Sequence, residues 1–383
     1  SNKKRSRKNG LVKESRTLED VLTNGEVQRI PLGISEMDRV LGGGILPGSL
    51  ILLGGNPGIG KSTLALQILP IFEKPVLYIS AEESEAQVGL RAKRLGVTSE
   101  QLHLSSENNI DLILDQVSLV KPELVVIDSI QTIFSDQLDS LPGSVSQIRE
   151  CGQQFLQLAK QQDIAIIIIG HVTKEGVIAG PKMLEHMVDT VLYLEGDDKY
   201  DHRILRCAKN RFGTTNEVGI FRMENNGLIE VDNPSELFLS ERQNNITGST
   251  IFPSLEGSRP ILVEIQALAS NANFGTPQRN VNGFDYKRLA MLLAVLEKRL
   301  GIQIGTKDVF VNLVGGLKVN DPAADLSVIS AVASSAQDKL ISDSVVLIGE
   351  VGLGGEVRSV SGLDTRINES KSLGFKTIIA PSS

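Results

Sequence analysis

The sequence of 383 residues has no tryptophan, only two cysteines and four histidines, and no apolar run long enough to cross a bilayer. Each absence removes a class of protein. Cys151 and Cys207 are far apart and form no Cys-x-x-Cys, which excludes a disulfide framework and a cysteine zinc site within these residues. A reducing cytoplasm is the expected compartment. The longest apolar stretches, such as residues 164–169, are strand-sized, so no membrane span is expected, and no signal peptide is read at the start. The net charge of −7 argues against a uniformly basic coat for nucleic acid, but it leaves room for a local basic groove inside an assembly.

What is present begins with size. This length is too great for one ordinary core and suggests two or three domains. Lys3, Lys4, Arg5, Arg7, Lys8, Lys13 and Arg16 make residues 1–16 a basic tail with few apolar residues, expected to be flexible. Ser1-Asn2 without a methionine reads as a cleavage scar, so a longer parent protein is expected.

The most informative stretch is Gly55-Asn56-Pro57-Gly58-Ile59-Gly60-Lys61-Ser62, a Walker A loop with an apolar run before it and a helix-forming run after it. Backbone N–H groups of such a turn, opening a helix, make a cradle for phosphate oxygens. Lys61 would reach the β- and γ-phosphates, Ser62 would offer a hydroxyl to Mg²⁺, and Thr63 would line the helix start. A bare strand–turn–helix corner accounts for the glycines but not for Lys61-Ser62 in this register.

Around it, Ser35-Glu36-Met37-Asp38 reads as a capping box for a short helix stopping at Gly42. Residues 76–80 read as a buried strand followed by Glu82 and Glu83. At a strand's C-terminal end a carboxylate could polarise an attacking water, or the pair could belong to the acidic first turn of a helix over 85–96; position alone does not choose. Residues 124–128 have the form of a Walker B strand, with Asp128 as the carboxylate for the metal and Ser129 beside it. Residues 130–143 suggest a mobile loop rather than core, 147–162 a helix, and 164–169 a central strand delivering His171 beside the γ-phosphate position. A second loop over 173–181 is modestly basic, with Lys174 and Lys182. His186, with Glu185 and Asp189, fits no zinc spacing and reads as a solvated helix face. Lys209 and Arg211, one residue apart on an extended segment, either reach a neighbour's phosphates or decorate an exposed edge. Residues 241–258 read as a polar linker, and 259–383 as a second unit of α+β pattern without a phosphate loop.

Taken together, these motifs resemble those of the bacterial RadA (Sms) family of RecA-like ATPases. Lys209-Asn210-Arg211-Phe212-Gly213 is the most specific match; Ile127-Asp128-Ser129-Ile130-Gln131, Gly170-His171-Val172-Thr173-Lys174 and Leu184-Glu185-His186 support it. The resemblance implies an α/β, RecA-like P-loop domain with a mostly parallel central sheet over 17–240, then an α+β Lon-protease-like (ribosomal S5 domain 2-like) domain. It implies a DNA-dependent ATPase and helicase forming a ring, a hexamer by expectation. Such a ring uses ATP and Mg²⁺, binds single-stranded and branched DNA, and promotes branch migration with RecA in the cytoplasm at the nucleoid. Glu82 then corresponds to the water-activating carboxylate, His171 to the γ-phosphate sensor, and Lys209 and Arg211 to cations acting on the neighbouring subunit's ATP. Loops 131–146 and 173–182 resemble DNA-facing loops, with Lys174 and Lys182 as phosphate contacts.

The resemblance also has departures. Ala323 stands where the nucleophilic serine of Lon falls and Arg366 where its lysine falls, so no peptidase is expected. The family's four-cysteine zinc module is missing from this sequence, and with it any Zn²⁺; the C-terminus also falls short of the family's length. The alternative reading is a nucleotide-gated scaffold that binds DNA or protein without translocating.

Overall fold

The computed structural model describes residues 17, 28–171, 181–196, 200–240, 242–272 and 275–382. Lys174 and the basic tail lie outside them.

Four apolar strands make the centre of the first sheet because they bury both faces: β1 (Leu50–Gly55), β2 (Val76–Ser80), β4 (Leu124–Asp128) and β5 (Ala165–His171). With β3 (Leu102–Ser105), β6 (Thr190–Glu195), β7 (His202–Asn210), β8 (Val218–Glu224) and β9 (Gly227–Glu230), they form nine strands in the order β3-β2-β4-β5-β1-β6-β7-β8-β9. Pairing is parallel from β3 to β6 and antiparallel from β6 to β9. Alternation sends Leu50 and Leu52 into one core, with the long helix α5 (Val145–Gln162), and Ile51 and Leu53 into the other. The strand β5 separates the P-loop strand from the Walker B strand, the RecA-like arrangement.

The other helices of this unit are α1 (Ser35–Leu41), α2 (Lys61–Gln67), α3 (Glu85–Arg94) and α4 (Ile110–Val120), with α6 (Pro234–Leu239) at its end. A second sheet has six strands in the order β12-β13-β11-β10-β14-β17. They are β10 (Ser249–Glu256), β11 (Arg259–Asn271), β12 (Arg279–Asn282), β13 (Lys307–Leu313), β14 (Val345–Leu347) and β17 (Thr377–Ile379), and β15 (Glu350–Val351) pairs with β16 (Val357–Arg358) apart from them. Helices α7 (Tyr286–Leu300), α8 (Asp325–Gln337) and α9 (Leu363–Ser372) complete an α+β unit. Its hydrophobic cluster reaches back to Ile204, Val218 and Ile220 of the first sheet, so the two units share apolar packing. Among the described residues, no helix is long and apolar enough to cross a membrane.

Four local expectations need correction. The helix α1 stops at Gly42 in a left-handed turn as its sequence suggests, but no capping box opens it: Ile34 is the cap residue and no side chain caps the first turn. Asp38 instead accepts from Leu32 N at 2.8 Å, and the buried Glu36 accepts from Ile220 N and pairs with Arg259 at 2.7 Å. Much of the linker expected over 241–258 is β10, bonded along its length to β11. The loop after β4 is partly core: Ile130 and Ile133 are buried, and Gln147 of α5 accepts from Ser135 N and donates to the carbonyls of Ser135, Leu138 and Ser140. Residues 184–188 are turns rather than a helix, and Asp189, expected on a solvated face, is 1% exposed.

Candidate nucleotide site

The P-loop leaves β1 at Gly55 and closes into α2. Gly55 and Gly60 hold φ of 154° and 115°, and a Cβ on Gly60 would come within 2.7 Å of Met223 Cε. The left-handed φ at 60, more than the yielding methionine tip, is what favours glycine there. A cleft of about 450 Å³ lies over the loop, walled by Lys61, Ser62 and Thr63 on one side and by Glu82, Asp128 and His171 on the other. The site residues expected at the ends of β1, β2, β4 and β5 therefore do come together.

Lys61 is buried and donates to the carbonyls of Gly55 at 2.9 Å and Asn56 at 2.8 Å. Burial pushes its amine down to about 8, against the pull of Asp128 and Glu82. Asp128 accepts from the Tyr78 hydroxyl at 2.5 Å, and burial with the Asp128 charge keeps that phenol protonated well above its ordinary range. Ser62 and Asp128 present hard oxygen donors to one cleft and leave coordination positions for water and phosphate, a set that suits Mg²⁺.

Glu82 Oε1 accepts from Ser129 Oγ at 2.5 Å and stands 3.6 Å from His171 Nε2. Burial, then the Lys61 charge, lower the basicity of His171, so a neutral ring is favoured. Gln131 donates to the His171 carbonyl at 3.3 Å. Glu83 lines the same cleft but is paired with Arg91 of α3, Nη2 to Oε1 at 2.5 Å. Tyr78 and Arg91 carry no sequence signal of their own, whereas Gln131 closes the motif that begins at Ile127.

Lys209 and Arg211 lie elsewhere. Asn210 pairs with Thr190, which pairs with Ile51, so both cations sit near the start of β1, whereas the P-loop begins at its end. Five residues of strand from Leu50 to Gly55 separate Arg211 from its own loop, roughly 17 Å at about 3.3 Å per residue. Lys209 donates to the carbonyls of Glu185, His186 and Val188, which uses its three protons. Arg211 differs: half its side chain is exposed, and its only side-chain partner among the described residues is Asp189 Oδ1 at 3.4 Å. Asp189 also accepts from Lys160 at 2.8 Å and from Leu50 N at 3.1 Å. This buried carboxylate, missed as a site element from sequence, ties Arg211 to β1. Lys182 is exposed on the short turn after the second loop.

In the second unit Arg366 is fully buried, pairs with Asp321, donates to Pro253 O at 2.5 Å and Ser361 O at 3.1 Å, and lies over the Phe252 ring. Ala323 is also buried, its amide donating to Asp321 Oδ1 at 3.0 Å.

Comparison with known proteins agrees with both halves. A family model described as an AAA domain matches residues 27–177, and the model for the Lon protease (S16) C-terminal proteolytic domain matches 301–383. DNA repair protein RadA of Halalkalibacterium halodurans is 52% identical over 92% of this chain and 78% of its own length. The Bacillus subtilis and Streptococcus pneumoniae proteins of that name are 51% and 49% identical, each over 94% of this chain and over 79% and 86% of their own lengths. With this identity along both units, a P-loop in a RecA-like sheet and a Lon-like second domain, the chain belongs to the bacterial DNA repair protein RadA family.

Proposed function

We propose that the protein is a DNA-dependent ATPase that works as a ring, a hexamer by our reading, and moves on single-stranded and branched DNA to promote branch migration together with RecA. The single observation that carries this reading is the division of the constellation within one chain. Lys61, Ser62, Asp128, Glu82 and His171 surround one cleft, while Arg211 stands at the opposite end of β1. A cation there cannot serve its own cleft, but it is available to a neighbour packed against that edge. Two complementary halves on opposite sides of one subunit suit a head-to-tail assembly, which we read as closing into a ring.

In this mechanism the P-loop amides and Lys61 bind the phosphates, and Ser62 and Asp128 hold Mg²⁺, which when bound neutralises charge on the phosphate oxygens. Glu82 takes the proton of the attacking water, oriented by Ser129 and reporting to His171. Arg211 from the next subunit stabilises charge on the transferred phosphoryl, and Lys209 fixes the turn 185–188 that leads into Asp189, the partner of Arg211. Lys174 and Lys182 we assign to DNA phosphates. The Lon-like unit serves assembly and DNA binding and is no peptidase, because Ala323 offers no nucleophile and the permanently charged Arg366 is consumed by structural bonds.

The test is ATP turnover with and without single-stranded DNA, using Lys61→Ala as the blank. Stimulation by DNA, weakening steeply as salt rises, is the expected result. Turnover indifferent to DNA would favour the nucleotide-gated scaffold.

A further inference from the structure

The glycine run that follows α1 is the seat of an arginine. Arg29 Nη1 donates to the carbonyls of Leu41 and Gly44, each at 3.0 Å, and so satisfies groups that the helix end leaves open. Beside it Ile30 and Ile45 exchange two backbone hydrogen bonds, at 2.8 and 3.0 Å. Gly44 permits this approach, because a Cβ there would stand 2.3 Å from Ile30 O. The helix is itself anchored through Glu36 to Ile220 N and Arg259. One arm of the Arg29 guanidinium is therefore fixed to the body of the domain.

The other arm reaches the turn after β7. Arg29 Nη2 donates to Phe212 O at 2.6 Å, across 183 positions of sequence, and Phe212 directly follows Arg211. Residues 211–216 are exposed, yet the backbone around Arg211 is held at three points. Arg211 N donates to Asp189 O at 3.0 Å, Phe212 N donates to Asn210 Oδ1 at 3.0 Å, and Phe212 O accepts from Arg29. The first two bonds come from β6, β7 and the approach to β6; Arg29 brings the third from the opposite end of the sequence. Its forked end is engaged by three carbonyls, so it holds the turn and does not itself reach a phosphate.

A cation that acts across a subunit boundary needs its direction set by the backbone it leaves. Resting on the reading of Arg211 above, we infer that Arg29 is a positioning residue for that cation: it clamps Phe212 O to the end of α1 and so aims Arg211 at the neighbouring subunit's ATP. The planar fork is what spans the two sides; a lysine at 29 can hold the seat but not both.

DNA-stimulated ATP turnover by the whole chain, with Arg29→Met and Arg29→Lys, tests this. Both are expected to lower kcat about 10–100-fold, the scale of a misplaced catalytic group, with KM for ATP kept within about twofold and rings still forming. Neither should deepen the loss caused by Arg211→Ala. Mixed rings identify the face that is damaged. Arg29→Lys with Lys61→Ala should regain turnover, because the intact cleft of one receives Arg211 from the other, whereas Arg29→Lys with Arg211→Ala should not. Full turnover by Arg29→Lys, loss of its ring assembly, a raised KM with kcat kept, or no recovery with Lys61→Ala would overturn the assignment. If Arg211→Ala and Lys61→Ala also fail to restore each other, the reading of Arg211 as a neighbour's cation falls first, and this assignment with it.

Discussion

Arg91 Nη2 lies 2.5 Å from Glu83 Oε1, and that ion pair separates two adjacent carboxylates into different tasks. Glu83 is committed to α3, while Glu82 faces Ser129 and His171 across the cleft. Sequence position alone could not divide them.

Glu82→Gln is accordingly expected to lower kcat by about 10²–10⁴-fold, the usual contribution of a positioned base, with ATP affinity kept. Glu83→Gln frees Arg91 and should cost less than about tenfold. Single-turnover hydrolysis beside equilibrium nucleotide binding checks both, and equal losses would remove the distinction.

The depressed amine of Lys61 gives a pH dependence. The charged form binds phosphate, and in the free protein that charge is lost as pH rises through about 8. Affinity for Mg-ADP should then fall about tenfold per pH unit above that point, with no contribution from Lys61 below it.

The same shift acts on stability with a defined sign. A lysine whose folded value lies below its ordinary 10.5 costs stability, fully so below about pH 8, and the cost is relieved as pH rises toward 10.5. Lys61→Met should thus raise the nucleotide-free unfolding free energy at pH 7, by at most about 3 kcal/mol, and by less at pH 10. Added Mg-ADP should no longer raise its Tm. A Lys61→Met protein less stable than wild type at pH 7 would contradict the burial argument.

Arg366 is expected to be structural. Arg366→Met leaves Asp321 and two carbonyls without their partner and should cost about 3 kcal/mol or more in unfolding of the second unit. Ala323→Ser should leave casein uncleaved, because no base stands ready to activate the new hydroxyl. Denaturant titration and a casein assay read the two outcomes.

The parts legible from sequence are those whose physics is local. The P-loop, the Walker B strand and the apolar strands β2 and β5 declare themselves within a few residues, and the ends of these strands were enough to gather Lys61, Glu82, Asp128 and His171. The misread segments have remote partners. Ser35 was diverted from capping by Glu230, 195 positions away, and Asp189 from solvent by Lys160 and Arg211. Ser249–Glu256 carries polar and proline residues that mimic a linker, yet its place between β11 and β14 makes it an interior strand. No periodicity encodes such pairings.

The division of labour across the subunit boundary is the central claim, and mixing two inactive variants tests it most directly. Lys61→Ala supplies Arg211 but cannot bind phosphate, and Arg211→Ala binds phosphate but lacks the cation, an arginine whose equivalents contribute roughly 10³–10⁵ in rate. Each alone should be nearly inactive while still assembling. Mixed rings should regain DNA-stimulated ATP turnover, greatest near equal proportions. No recovery at any ratio, with mixed assembly demonstrated, would contradict a site completed by the neighbouring subunit.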